Sequence, residues 1–182
     1  VVQEDVQRAV AQQAAPLSRS QPAPVQGQTV PFRGVRRTIA DRMQHSLQSM
    51  AQLTLPMDVD TTATVKMVAQ IREEWRRQGV HLTYIDPIIK AVAQALTEYP
   101  RLNAVLEGNV IRLLPEVNIG IAVALEEGLI VPVVRQADRK SVRDIAREVH
   151  ELSAKAHAGT LTLDQVSGGT FTVTSLGSYD VD

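Results

Sequence analysis

The stretch Val117–Val134, VNIGIAVALEEGLIVPVV, decides the fold of this chain. Its two arms, residues 117–125 and 129–134, are rich in β-branched residues and apolar on both faces, and they flank Glu126-Glu127-Gly128. That pattern predicts a β-hairpin turned by glycine and buried centrally beneath helices, because a strand with one wet face would alternate apolar with polar. Just upstream, residues 103–106 and 109–113 flank Glu107-Gly108 in the same way and predict a second hairpin. Downstream, Ser141 stands ready to cap a helix whose buried stripe is Val142, Ile145, Ala146, Val149, Leu152 and Ala156, ending before Gly159. Beyond it, Gly168-Gly169 lead into Thr170-Phe171-Thr172-Val173-Thr174-Ser175-Leu176-Gly177. Strand alternation puts the hydroxyls of Thr170, Thr172 and Thr174 on one face and Phe171 and Val173 on the other. Such a face is either a solvated edge or a place where a neutral hydroxyl is aimed at developing negative charge.

Working toward the N-terminus, Asp86-Pro87 predict the start of a helix running to about Glu98, with Asp86 as its cap and Tyr99-Pro100 as its end. Val65, Val68, Ile71 and Trp75 mark another, closed by Arg76, Arg77 and Gly79. Residues 53–59, LTLPMDV, read as a strand in which Pro56 implies an edge or a bulge. Ile39, Met43, Leu47 and Met50 give an amphipathic helix near the start of a folded block that begins at about Pro31. Residues 14–30 bring Pro16, Pro22 and Pro24 among Ala, Gln and Ser with no apolar period, the composition of a linker. Residues 1–13 place Val2, Val6 and Val10 at helical spacing, a stripe too short to be buried by itself. Together the elements predict an α+β domain whose sheet, mixed or antiparallel, is covered by helices.

At 182 residues the chain can hold one ordinary core, and its 44% hydrophobic content with 21% charged residues is that of a globular protein. The formal net charge is -1, and no segment interleaves Lys and Arg with aromatics, so neither nucleic acid nor an anionic membrane is an expected partner. There is no cysteine, hence no thiolate nucleophile and no Cys-based zinc site. No apolar run approaches the length of a membrane span, and the first residues lack the pattern of a signal peptide. A cytoplasmic setting is expected, with a mitochondrial matrix setting the other possibility because the chain does not begin with Met.

Titratable candidates are few. His150 and His157 stand seven apart on the last long helix, two full turns, too far to share a metal, and read as solvated. His45 adjoins Ser46, but adjacent helical positions diverge by about 100 degrees and make no dyad. In the run Arg72, Glu73, Glu74, Arg76, Arg77 the four-residue spacing sets Arg72 against Arg76 and pairs Glu73 with Arg77, which leaves Arg72 available for a phosphate. No phosphate-binding glycine loop, dinucleotide fingerprint or nucleophile elbow is present.

Several motifs taken in order carry a resemblance: RGVRRTIADRM at 33–43, DPIIKAVAQAL, YPRLNA, NIGIAVALEEGLIVPVVRQADRKS and GGTFTVTSLG. Over residues 31–182 the chain resembles the catalytic domain of the dihydrolipoamide acyltransferase component of 2-oxo acid dehydrogenase complexes. Residues 1–13 resemble the last helix of the family's peripheral-subunit-binding module, and residues 14–30 its linker. The resemblance implies a fold like chloramphenicol acetyltransferase and a homotrimer with active sites between subunits, assembling into a hollow cubic or dodecahedral core of twenty-four or sixty subunits. It implies transfer of an acyl group from the dihydrolipoyl arm of a separate lipoyl domain to coenzyme A, in company with a 2-oxo acid decarboxylase and a dihydrolipoamide dehydrogenase. In such a site a histidine of a His-x-x-x-Asp-Gly motif takes the thiol proton, and a hydroxyl from the facing subunit steadies the tetrahedral oxyanion.

By position that hydroxyl is Thr174, and the resemblance carries coenzyme A contacts to Arg72, Thr83, Ser153, Thr174 and Ser175, with no metal. Ala124 stands where some members have an aspartate, which leaves one polar contact without its residue. No His-x-x-x-Asp-Gly occurs among the 182 residues. The chain ends at Asp182, before the family's closing strands and helix, so it is expected to be a C-terminally shortened piece of such an enzyme, inactive alone. The rival expectation is a noncatalytic core component of the same complex; a free-standing acetyltransferase fits less well with the linker and the helix before it.

Overall fold

The apolar hairpin forms, and its ladder is interrupted once. In the structure, a computed structural model that describes residues 29, 31–125 and 128–176, the first arm carries strands Ile119–Ile121 and Val123–Leu125, and the second Gly128–Ile130 and Val133–Val134. Numbering strands along the chain, with the upstream hairpin as β1 (Ala104–Glu107) and β2 (Val110–Leu113), these are β3, β4, β5 and β6. Pairing keeps one register from Ile119↔Val134 to Leu125↔Gly128, so the break at Ala122 opposite Val131 and Pro132 is not a slip. Pro132 has no N–H to give the ladder and sits fully buried. The upstream hairpin pairs Ala104↔Leu113 through Glu107↔Val110, with Gly108 at φ 60°, where a side chain would be strained.

Strand β7 (Phe171–Val173) is the hydroxyl strand, and it joins β3 in parallel, giving a sheet ordered β6-β3-β7. The sheet is therefore mixed, and β3 at its centre is buried along its whole length. Gly120 lets the neighbours close in, since a Cβ there would meet Val131 Cγ1 at 2.8 Å and Thr172 Oγ1 at 3.3 Å.

Four helices are described: α1 (Gly34–Ser49), α2 (Thr62–Arg77), α3 (Ile85–Glu98) and α4 (Val142–His157). The expected stripe of α4 is buried at Ile145, Ala146, Leu152 and Ala156 and half-buried at Val142 and Val149. Ser141 Oγ accepts from Asp144 N at 3.1 Å, the expected cap, and Gly159 follows at φ 66°. Ile89, Ala93 and Leu96 of α3 pack with Ile145 and Leu152 of α4 over Val117, Ile119, Ile121 and Val134. Val68 of α2, with Val80 and Leu82, packs against Ala146, so α4 serves both clusters. The chain divides into two units, Val1–Asp41 and Arg42–Asp182. The helix and linker expected over residues 1–13 and 14–30 lie outside the described residues, residue 29 apart.

Two expectations are corrected. Residues 53–59 form no strand: no described strand pairs with them, Pro56 removes one donor, and Leu53, Leu55, Met57 and Val59 are all exposed. Asp86 is not the cap of α3; the helix begins at Ile85, and Asp86 sits in its first turn with its carboxylate turned back onto Thr83.

Candidate functional site

Three local arrangements account for the expected site residues other than Ser153, and each follows from its element. The first lies at the C-terminal end of α2 and the segment after it. Arg72, Arg76, Val80, His81, Leu82 and Thr83 line an open cavity of about 300 Å³. Glu73 is drawn away from Arg72: it takes a two-pronged contact from Arg76, with both bonds at 3.0 Å, and a second ion pair from Arg77 at 3.5 Å. The Arg76 guanidinium holds the Glu73 carboxyl below its ordinary range. The Glu73–Arg77 pair expected from four-residue spacing is present, but Glu73 is held more closely by Arg76, one residue nearer. Among the described residues no carboxylate pairs with Arg72, whose guanidinium carbon lies 4.8 Å from the Tyr84 ring centroid. A guanidinium fixed over an aromatic face with its N–H edge unclaimed suits phosphate oxygens.

The second arrangement supports the first. Asp86 is 1% exposed, and its Oδ2 accepts from Thr83 N at 2.6 Å and from Thr83 Oγ1 at 2.9 Å. Burial pushes the Asp86 carboxyl above the usual carboxylate range, against the two Thr83 bonds and the nearby His150 ring, which pull it down. His150 is stacked on His81, ring centroids 4.3 Å apart, so this solvated histidine also has a neighbour that spacing along one helix could not reveal. A group whose pKa is raised by folding stabilises the fold fully below its unfolded value near 3.9, and that contribution is lost as pH rises through the folded value. Stability of the parent relative to Asp86→Asn is therefore expected to fall as pH is raised across the acid range, measured by urea unfolding at a series of pH values. A difference that grew in the parent's favour with rising pH would mean that pairing, and not burial, dominates.

The third arrangement is the hydroxyl strand. Thr170 Oγ1 is used internally: it accepts from Asn118 N at 3.1 Å and lies 3.2 Å from Asn118 O. Thr172 stands across from Gly120. Thr174 comes one residue after β7, is exposed with Ser175, and makes no hydrogen bond among the described residues. The strand is held from beneath by Asn118, 2% exposed, whose Nδ2 donates to Glu116 Oε2 at 2.9 Å and Gly168 O at 3.0 Å while its Oδ1 accepts from Gln136 N at 2.9 Å. Sequence reasoning passed over Asn118. Its signal was a single amide inside an apolar run, where a buried polar group has to find partners.

The structure thus brings Arg72 and Thr83 to one cavity and sets Thr174 with Ser175 at the end of β7; neither of these two, nor half-buried Ser153 on α4, is among that cavity's lining residues. Among the described residues no three His, Asp or Glu side chains gather into a metal site, and no helix is long and apolar enough to cross a membrane.

Comparison with known proteins follows the same outline. The family of 2-oxoacid dehydrogenases acyltransferase (catalytic domain) matches residues 24–182. The lipoamide acyltransferase component of the branched-chain alpha-keto acid dehydrogenase complex of Bacillus subtilis is 37% identical over 176 residues, which takes in 91% of this chain and 42% of that protein. The dihydrolipoyllysine-residue acetyltransferase component of the acetoin cleaving system of the same organism is 38% identical over 189 residues, 100% of this chain and 46% of that protein. The chain spans less than half the length of both relatives. A probable dihydrolipoamide acetyltransferase from Listeria monocytogenes superimposes with a TM-score of 0.82 at 40% identity, covering 86% of this chain and 67% of that one. The dihydrolipoamide acetyltransferase of Azotobacter vinelandii, in which a serine, a histidine and an asparagine have been studied for their role in catalysis, gives 0.80 at 31% identity over 84% of this chain and 63% of that one.

Proposed function

The chain belongs to the 2-oxoacid dehydrogenase acyltransferase family, over its catalytic domain, and from that membership we propose that it serves the transfer of an acyl group from dihydrolipoyl-lysine to coenzyme A. Its fold is then of the chloramphenicol acetyltransferase type, its working unit a cytoplasmic homotrimer, and its place the core of a 2-oxo acid dehydrogenase complex. A solved structure of similar fold is a cubic core of the pyruvate dehydrogenase multienzyme complex, TM-score 0.80, which supports the core role. The partners would be a lipoyl domain, a 2-oxo acid decarboxylase and a dihydrolipoamide dehydrogenase.

The roles divide among the residues of this chain as follows. Arg72, oriented by Tyr84, meets a phosphate of coenzyme A. Thr83, Ser153 and Ser175 supply further polar contacts. The coenzyme A sulfur attacks the thioester carbonyl, and Thr174 donates its hydroxyl to the oxygen that becomes negative. The thiol proton goes to a histidine of a His-x-x-x-Asp-Gly motif, which these 182 residues do not contain.

One observation carries the reading: Arg72 and Thr83, both given to coenzyme A by the family resemblance although eleven residues apart, line one cavity in which no described carboxylate competes for the arginine. Arg72→Ala is expected to weaken coenzyme A binding about tenfold, roughly one charge-assisted hydrogen bond, by titration calorimetry. Unchanged affinity would remove Arg72 from the site. Measured on the 182-residue polypeptide, transfer from acyl-dihydrolipoamide to coenzyme A should be undetectable. Transfer at a significant rate would show that the histidine mechanism does not apply.

A further inference from the structure

Both donors of Thr83 are spent on one oxygen. Its N–H and its hydroxyl point to Oδ2 of Asp86, at 2.6 and 2.9 Å, and Asp86 is closed off from water. An ionised carboxylate accepts hydrogen bonds and gives none, so the Thr83 hydroxyl proton is committed inward. What Thr83 Oγ1 offers to the cavity it lines with Arg72, His81 and Leu82 is its remaining lone-pair capacity. A phosphate oxygen, itself an acceptor, gains nothing there. A ligand N–H does.

We propose that Asp86 is a positioning residue that fixes the Thr83 hydroxyl as a hydrogen-bond acceptor, and that the cavity selects a ligand carrying an N–H donor close to the anionic group met by Arg72. This rests on the coenzyme A reading above and divides that site into two chemistries: negative charge at Arg72, set by its stacking on Tyr84, and N–H at Thr83, set by Asp86. Coenzyme A has N–H donors in two places, the amides of its pantetheine arm and the amino group of its adenine. Either meets the requirement.

The test is titration calorimetry on the intact protein with three probes: coenzyme A, pantetheine and adenosine bisphosphate. Thr83→Val keeps the shape and removes the acceptor; it is expected to weaken coenzyme A about tenfold, and to weaken equally whichever half-ligand supplies the N–H while leaving the other within twofold. Thr83→Ser should restore the parent affinity. Asp86→Ala removes the acceptor and lets the Thr83 hydroxyl proton turn outward; the same half-ligand should lose affinity although Thr83 is intact, whereas Asp86→Asn, whose amide oxygen takes both Thr83 bonds, should match the parent. A purely structural role for Asp86 would weaken all three probes alike. Thr83→Val within twofold of the parent on every probe, while Arg72→Ala still weakens coenzyme A, overturns the N–H assignment and leaves the acyltransferase reading standing. If Thr83→Val loses affinity and Asp86→Ala does not, the positioning role is overturned. If the parent binds none of the probes, both readings fall.

Discussion

Thr174→Val is expected to lower turnover by about 100-fold to 1,000-fold in an assembly that supplies the histidine, with coenzyme A affinity nearly unchanged. The substitution exchanges a hydroxyl for a methyl of the same shape, so it deletes one donor and little else. Of the three threonine hydroxyls that share a face, Thr170 is tied to the backbone of Asn118 and Thr172 lies over Gly120 in the sheet. The hydroxyls of Thr172 and Thr174 have no hydrogen-bond partner among the described residues, and Thr174 alone of the three lies past the last paired residue. A donor held by a strand end, and not by a loose loop, is already placed when charge develops on the carbonyl oxygen, which is the condition under which one hydrogen bond is worth several kcal/mol in a transition state. Steady-state transfer to coenzyme A, with affinity measured separately, decides the matter. Unchanged turnover would strip Thr174 of its role, and an equal loss in affinity and turnover would make it a binding residue only.

Asn118→Leu is expected to cost about 3 kcal/mol of folding stability. The leucine fills the space yet leaves Gly168 C=O and Gln136 N–H facing an apolar side chain, each an unpaired group costing about 1–3 kcal/mol if no water reaches it. Gln136 is the only non-glycine among the described residues with positive φ, 48°, and its N–H bond to Asn118 Oδ1 helps hold that turn. Because the same amide holds Gly168, loss of Asn118 should also loosen the entry into β7 and lower any Thr174-dependent activity. Urea unfolding checks the first effect. A loss below about 1 kcal/mol would mean that the turn and the strand entry stand without it.

What the sequence discloses here is whatever is periodic and local. The stripe of α4, its Ser141 cap, the Gly108 hairpin and the pairing of the two apolar arms are all set by neighbours within a few residues and appear as expected, but the central burial expected of those arms holds for β3 and β6 only: β4 and β5 pair apart from them, with Ala124 and Leu129 exposed. Partners distant in the chain are a different matter. Nothing in GGTFTV says that β7 runs parallel to β3, fifty-two residues upstream, and nothing in LTLPMDV says that its alternation finds no strand. For the candidate site the division is the same. Arg72 stood out by its charge pattern, whereas Asp86 looked like an ordinary cap until its carboxylate proved to face Thr83. Thr174 itself came from resemblance, since alternation alone gives three equivalent threonines.

Residues 53–59 have a practical consequence for anyone handling this polypeptide. Leu53, Leu55, Met57 and Val59 alternate along the segment, each residue more than two-thirds exposed to water. An unpaired segment with that alternation can serve as a template for pairing with another chain, the first step toward cross-β precipitate. Pro56 and Asp58 interrupt it as gatekeepers, one by withholding a donor and the other by charge. Replacing either to tidy the segment would raise the tendency of a concentrated sample to turn cloudy.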